Sequence, residues 1–475
     1  MTERAFGGGV SIFHLLSLIS ASVPNSVTQS NTIDAVLRGG LVLLFSFVSL
    51  VPHRYLPLAD WTAARWGPEI LVCLLLAATL TKRWRAIPSF FLLLPLLILA
   101  IINGASALAS EDPSLGISRE IYYLLTGVCL CFVCWTVFNA RGRLFLSCGV
   151  LLASVVALIG LLEFLGARHL IYPGAFETTN PLYARLVSGQ EDFGRRVLST
   201  VGHPVYLGAY LVLFVPPAIS FARFSRGSWT GVVRLVGVAA LVVGLMLTFS
   251  RGAWAGGVLG ILIYFRGSVG SGTWKTAAVV AGLVVTVLSF DSVWETLEER
   301  QTWLQVRTFQ ESQRGVAYAQ ATGVMLEQPL LGVGAAHYRH LAGRHGDYDD
   351  TPDNMYLRVF AENGVAGFCV LSAVFLGVAR FLQNGSRRLV EIGDIQGSDL
   401  CHAVLAGLCG FCLDMVTCDA LAFPLTRMAF WMVVGVGLAL AGTCRAELKQ
   451  GSDLVPFLQP KTDLGIRARF LRHPG

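Results

Sequence analysis

The chain has 475 residues, of which 54% are hydrophobic and 14% are charged, with a formal net charge of +6. Soluble proteins carry ~25% charged residues, and a water-soluble fold of this size could not cover its surface with so few. The same numbers exclude a disordered chain, and the absence of a glycine period together with only 11 Cys excludes collagen-like and disulfide-scaffold classes. What remains is an all-α polytopic integral membrane protein. The basic residues sit in short clusters between apolar runs, which is how membrane orientation is encoded, so the positive charge is not read as nucleic-acid binding.

A helical span takes ~20 mostly apolar residues. In chain order such runs fall at 37–51, 68–80, 87–103, 121–138, 144–165, 205–221, 233–249, 253–265, 276–290, 355–382, 401–420 and 425–441, roughly twelve in all. A weaker stretch at 10–23, broken by His14 and several serines, reads as an interfacial helix, and no cleavable signal peptide is expected there. The organisation that follows is membrane helices over 1–165, a first outer loop over 166–202, central helices over 203–290, a large outer loop over 291–352, C-terminal helices over 353–442 and a basic tail over 443–475.

Orientation comes from the Lys/Arg bias. One set of short joins, from Lys82 and Arg83 through Arg141, Arg226 and Lys275 to Arg388, holds 13 positive charges; the opposite set, Arg54, Arg65, Arg119, Arg251 and Arg427, holds 5. The first set is expected in the cytoplasm with both termini, and both long loops outside. All 11 Cys lie in spans or at their inner ends, so no disulfide framework is expected outside, and Cys131 and Cys134 read as helix packing.

The polar residues that could do chemistry gather around the outer ends. Arg195 and Arg196 are adjacent just before a span, against the orientation rule, and fit either a solvated pair or an anion clamp. His203 reads as a helix-start residue. Ser250-Arg251-Gly252 forms a tight reversal between two spans, with Ser250 as a plausible cap and Gly252, Gly256 and Gly257 permitting close packing. A charge held there is costly unless solvated, paired or functional.

The second loop carries Arg300, Arg307 and Arg314, then Pro329-Leu330-Leu331-Gly332-Val333-Gly334, His337, and an acidic cluster of Asp347, Asp349 and Asp350. Arg314 to Met325 has helical spacing, with Val316, Ala319, Val324 and Met325 as its apolar positions. The His/Asp mixture fits no standard metal-site spacing. Asp353, after Pro352, is a helix N-cap or a functional carboxylate. Asn354 and Tyr356 follow it. Arg358 and Glu362, four apart, are placed to pair on one helix face, and Asp419 is expected to pair with Arg427 across a short turn.

The order of these motifs resembles the O-antigen ligase and polymerase family of bacterial inner-membrane glycan enzymes. The shared pattern is Arg before a span, Ser-Arg-Gly between two spans, and Pro-Leu-Leu-Gly-Val-Gly in a large outer loop. Asn-x-Tyr-Leu and Glu-x-Gly at the start of a span complete it. The resemblance covers about Arg195 to Gly367.

It implies a glycosyltransferase-like (GT-C-like) bundle of about twelve helices in the inner membrane, with a periplasmic active site. The donor is implied to be an undecaprenyl-diphosphate-linked glycan, and the acceptor a hydroxyl on a lipid or another glycan. No cofactor and no metal is implied. By position, Arg196 and Arg251 would hold the diphosphate, with Arg195 and Arg314 as further candidates. The family's usual catalytic His falls where this chain has Asp353, so Asp353 and Arg251 are the catalytic candidates, with His337, Glu362 and Tyr356 behind them. The alternative reading is a transporter or flippase for a lipid-linked or anionic solute.

Overall fold

A computed structural model describes residues 28–50, 72–77, 79, 90–138, 142–167, 196–225, 228–267, 313–344 and 352–454. Among these residues the chain is helical, with no strand. In order the helices are α1 (Thr28–Leu50), α2 (Phe90–Ala109), α3 (Pro113–Val137), α4 (Gly142–Ala167), α5 (Pro204–Arg223) and α6 (Ser228–Leu247). Then come α7 (Arg251–Gly267), α8 (Gln313–Glu327), α9 (Tyr338–Ala342), α10 (Met355–Glu391), α11 (Ile395–Asp414) and α12 (Pro424–Leu454).

Seven of these, α3, α4, α5, α6, α10, α11 and α12, contain stretches long and apolar enough to cross a membrane. Each coincides with a run read from the sequence. The apolar parts of α1 and α2 are shorter, at Ala35–Phe47 and Leu94–Ala109. The expected runs at 10–23 and 276–290 lie outside the described residues, and that at 68–80 is described only in part.

Burial ranks the helices. The apolar windows of α12 and α5 are 94% and 83% buried, so these two form the centre. Those of α6 and α10 are 39% and 28% buried and leave Trp229, Val233 and Leu376 exposed. An apolar helix with an apolar outer face suits a lipid surround. Small residues allow the tightest crossing: a Cβ on Gly256 would strike the Gly410 carbonyl of α11, and one on Gly252 would strike Thr417 and Asp414.

The two ends of the bundle differ. At one end Asp399 accepts from Arg223 Nη1 (2.6 Å), Ser220 Oγ (2.6 Å) and Tyr264 Oη (2.7 Å), and Arg143 pairs with Asp394, the N-cap of α11. At the other end lie the starts of α3, α5, α7, α10 and α12, the ends of α2, α4 and α11, and the short helices α8 and α9.

The second long loop is therefore not loop throughout, since α8 and α9 lie within it. The buried side of α8 is Ala317, Gln320, Ala321 and Val324; Val316 and Ala319 point away from the bundle. The positions expected to be apolar contacts are half wrong because the helix docks on α10 through its small residues.

Candidate active site

The Ser-Arg-Gly turn is a strained corner. Phe249 takes φ 48°, a left-handed conformation costly for a bulky residue. Thr248 braces the corner: its Oγ1 donates to the Leu245 carbonyl (2.7 Å) and accepts the Ser250 N–H (3.3 Å). The Ser250 carbonyl accepts the Trp254 N–H (2.9 Å), so Ser250 stands at the cap position of α7.

Arg196 is drawn to this corner. Its Nε donates to the Thr248 carbonyl at 2.9 Å, and the next amide, of Val197, donates to the Leu247 carbonyl at 3.2 Å. The buried Glu163 carboxylate anchors the same segment by accepting the Leu198 and Ser199 amides at 3.0 and 2.7 Å. Arg251, one residue past the corner, is exposed, and among the described residues nothing binds its side chain. Arg195 lies outside the described residues.

On the far side of the corner Gly252 packs against Thr417. The Thr417 carbonyl lies 3.4 Å from Arg314 Nη2, and Arg314 Nε lies 3.6 Å from Asp353 Oδ2. Four candidates spread along the sequence, Arg196, Arg251, Arg314 and Asp353, thus share one rim. Asp353 is not the helix cap. Asn354 caps α10, accepting the Tyr356 and Leu357 amides at 3.0 and 3.1 Å, while Asp353 takes φ 46° in the preceding turn.

Beneath the rim is a buried ion network. Arg358 donates through Nε to Glu362 Oε1 (3.1 Å) and through Nη1 to Asp419 Oδ2 (2.8 Å), and Tyr206 Oη donates to Asp419 Oδ1 (2.5 Å). The expected Arg358–Glu362 pair is present, but the expected Asp419–Arg427 pair is not. The first turn of α12 aims Arg427 at α3, where its guanidinium lies 4.6 Å from the rings of Tyr122 and Tyr123 and its Nε donates to Thr126 Oγ1 at 2.9 Å. Between these groups is a cavity of about 240 Å³ lined by Asn103, Glu120, Tyr123, Arg358, Glu362 and Arg427 among others.

The glycine motifs brace the segment that brings Glu362 and Asn363 to this cavity. At Gly364 (φ 66°, ψ −172°) α10 breaks, which frees the carbonyls of Ala361 and Glu362. They accept the amides of Val333 and Gly334, both at 2.9 Å, and Val365 and Ala366 return bonds to Pro329 and Leu330 at 2.9 and 3.2 Å. Gly332 (φ 73°) and Gly364 make this close pairing possible, because a Cβ on either would collide with the opposite backbone. Pro329–Gly334 and Ala361–Ala366 are therefore two halves of one device.

His337 braces the same loop. It is buried, its Nδ1–H faces the Ala335 carbonyl at 3.0 Å, and its Nε2 accepts the Asp112 amide at 3.1 Å. Asp112 caps α3, and the Ser114 hydroxyl and Leu115 amide hold its carboxyl below the usual range. Tyr356 points elsewhere, donating to the Cys412 carbonyl at 2.7 Å. Sequence reasoning missed Tyr206, Glu163 and Glu120; the available signal for the two carboxylates was an ionisable group within or beside an apolar run.

Membrane-length helices with their strained turns and cationic rim at one end define a multi-pass membrane protein with a polar site at one face. Residues 236–372, from within α6 through the first half of α10, match the family model described as O-antigen ligase. That match covers under a third of the chain and supports the family reading made from the motifs. No curated protein matches the chain.

Proposed function

We propose that the protein transfers or polymerises an oligosaccharide carried on a polyprenyl (undecaprenyl-type) diphosphate, passing it to an acceptor hydroxyl at the periplasmic face of the inner membrane. The O-antigen ligase match supports glycan transfer in polysaccharide assembly in general terms. The finer reading is supported by one observation above all: Arg196 is bonded to the corner that carries Arg251, and Gly252 of that corner packs against Thr417, whose carbonyl lies beside the Arg314–Asp353 pair.

In this reading the acceptor oxygen attacks the anomeric carbon, the bond from that carbon to the phosphate oxygen breaks, and the electron pair leaves with the diphosphate. Charge builds on the leaving group, where fixed guanidinium groups stabilise it. Asp353 takes the hydroxyl proton. The transporter alternative expects ionisable groups near the middle of the bundle, whereas the buried charges described above lie near the two ends.

The test has two arms. Purified protein in proteoliposomes with a lipid-diphosphate oligosaccharide and candidate acceptors should release lipid diphosphate only when an acceptor is present. Impermeant thiol labelling of single cysteines at 330 and 475 should label the first from outside the cell and the second only after lysis. Labelling of position 330 only after lysis would overturn the orientation and the site with it.

A further inference from the structure

Resting on the transferase reading, we infer that the cavity between α2, α3, α10 and α12 binds a neutral, hydroxyl-bearing sugar ring of the glycan acceptor. Its position fits that role. Met355 lines the cavity and stands two residues from Asp353, so the pocket begins close to the rim that carries Asp353.

Its chemistry selects against ions. Glu120 and Glu362 would repel a diphosphate, and Arg358 and Arg427 would repel a cation. Within the cluster Arg358 is already paired with Glu362 and Asp419. Two orphan atoms ask for opposite partners. Asn103 Oδ1 is buried and needs a donor; Arg427 Nη2, on a side chain 3% exposed, is buried and needs an acceptor. A hydroxyl both donates and accepts, so a polyol can satisfy both. Glu120, which takes a bond from Asn103 and another from Asn363 Nδ2 at 3.4 Å, offers further acceptor capacity.

The walls agree. Tyr123 and Trp431 present aromatic surface, and Leu99, Ile117 and Ile121 present aliphatic surface, suited to the C–H face of a sugar and an attached alkyl chain. At about 240 Å³ the cavity is smaller than the ~300–1,000 Å³ of drug-sized sites, so it takes one ring rather than a long glycan.

The experiment uses the full chain in lipid nanodiscs and a diazirine-tagged octyl β-glucoside, compared with a diazirine-tagged octanol. Sugar-dependent labelling should map to residues 99–128. It should fall about fivefold, the value of one hydrogen bond, in Asn103→Leu, and be blocked in Ile121→Trp, which fills the pocket from an exposed position. Thermal unfolding verifies that each variant is folded. Equal labelling by the sugarless probe, or labelling unchanged in Ile121→Trp, overturns the inference whether or not transfer occurs. Sugar-dependent labelling in a protein that performs no transfer instead sinks the transferase reading and leaves the glycoside site standing.

Discussion

Arg196 donates its Nε–H to the Thr248 carbonyl at 2.9 Å, tying the end of the first long loop to the corner that launches α7. The bond spends one of five guanidinium donors on orientation and sets the group beside the turn that carries Arg251. Two cations far apart in sequence thereby stand at one corner.

The first prediction concerns this pair. Arg196→Ala and Arg251→Ala should each lower glycan transfer by about a hundredfold or more. An Arg–phosphate contact at ~4 Å and an effective dielectric of ~20 is worth about 4 kcal/mol before desolvation, and a net loss of ~2.7 kcal/mol is about a hundredfold in rate. Lys should rescue Arg251 in part, restoring charge without the fork. At 196 it should rescue less, because the bond to Thr248 is also lost. Turnover in proteoliposomes, with melting temperature as a folding control, decides; near-normal turnover by Arg251→Ala removes that residue from the site.

Gly364 supplies a test of the pairing between Pro329–Gly334 and Ala361–Ala366. Gly364→Ala should cost roughly 1–3 kcal/mol from the backbone alone, since φ 66° with ψ −172° is a region almost confined to glycine, plus the collision with the Leu330 carbonyl. Gly343→Ala, at φ −60° with nothing within 4 Å, should be neutral or slightly stabilising. Both are read as thermal unfolding midpoints in nanodiscs. Equal midpoints would mean that the Pro329–Gly334 pairing contributes nothing to the fold.

The ion network makes a third prediction. Arg358→Met leaves Glu362 and Asp419 buried without their cation and should cost about 3–5 kcal/mol. Adding Asp419→Asn removes one of the stranded charges while keeping an acceptor for Tyr206, so the double variant should be more stable than Arg358→Met alone. If the two costs simply add, the network is not coupled as its geometry requires.

Much of this was legible from hydropathy. Spans are continuous along the chain and leave a local signal, so the seven membrane-length helices coincide with apolar runs. Pairing is not local. Asp419 and Arg427 are eight apart and invited a pairing by proximity, yet the turn before α12 turns Asp419 toward Tyr206 and Arg358 while Arg427 faces the tyrosines of α3. The glycines of Pro329–Gly334 and Ala361–Gly364 were visible as motifs, but their purpose exists only once the two segments meet. The short polar pattern of α8 gave the helix and misplaced its face, because alanines rather than Val316 make the contact.

The riskiest prediction is Asp353. Asn354 performs the capping, so Asp353 is relieved of that duty, and its φ of 46° explains which residues can stand there. Asn, Asp and His are the side chains enriched at positive φ, so the His of the family's usual pattern and the Asp of this chain suit the same backbone. Asp353→Asn should therefore keep the turn. It loses a half-exposed ion pair with Arg314 at 3.6 Å, worth ~0–1 kcal/mol, so unfolding should shift little. It also loses the ability to take a proton, so transfer should fall by at least about a hundredfold, the lower end of what general-base catalysis contributes. Asp353→His should recover part of that activity, since imidazole restores a base at a position whose backbone accepts it. Wild-type turnover by Asp353→Asn in a purified assay with lipid-diphosphate donor would reduce Asp353 to a partner of Arg314. His337 would not be a ready replacement, because both of its ring nitrogens already brace the loop.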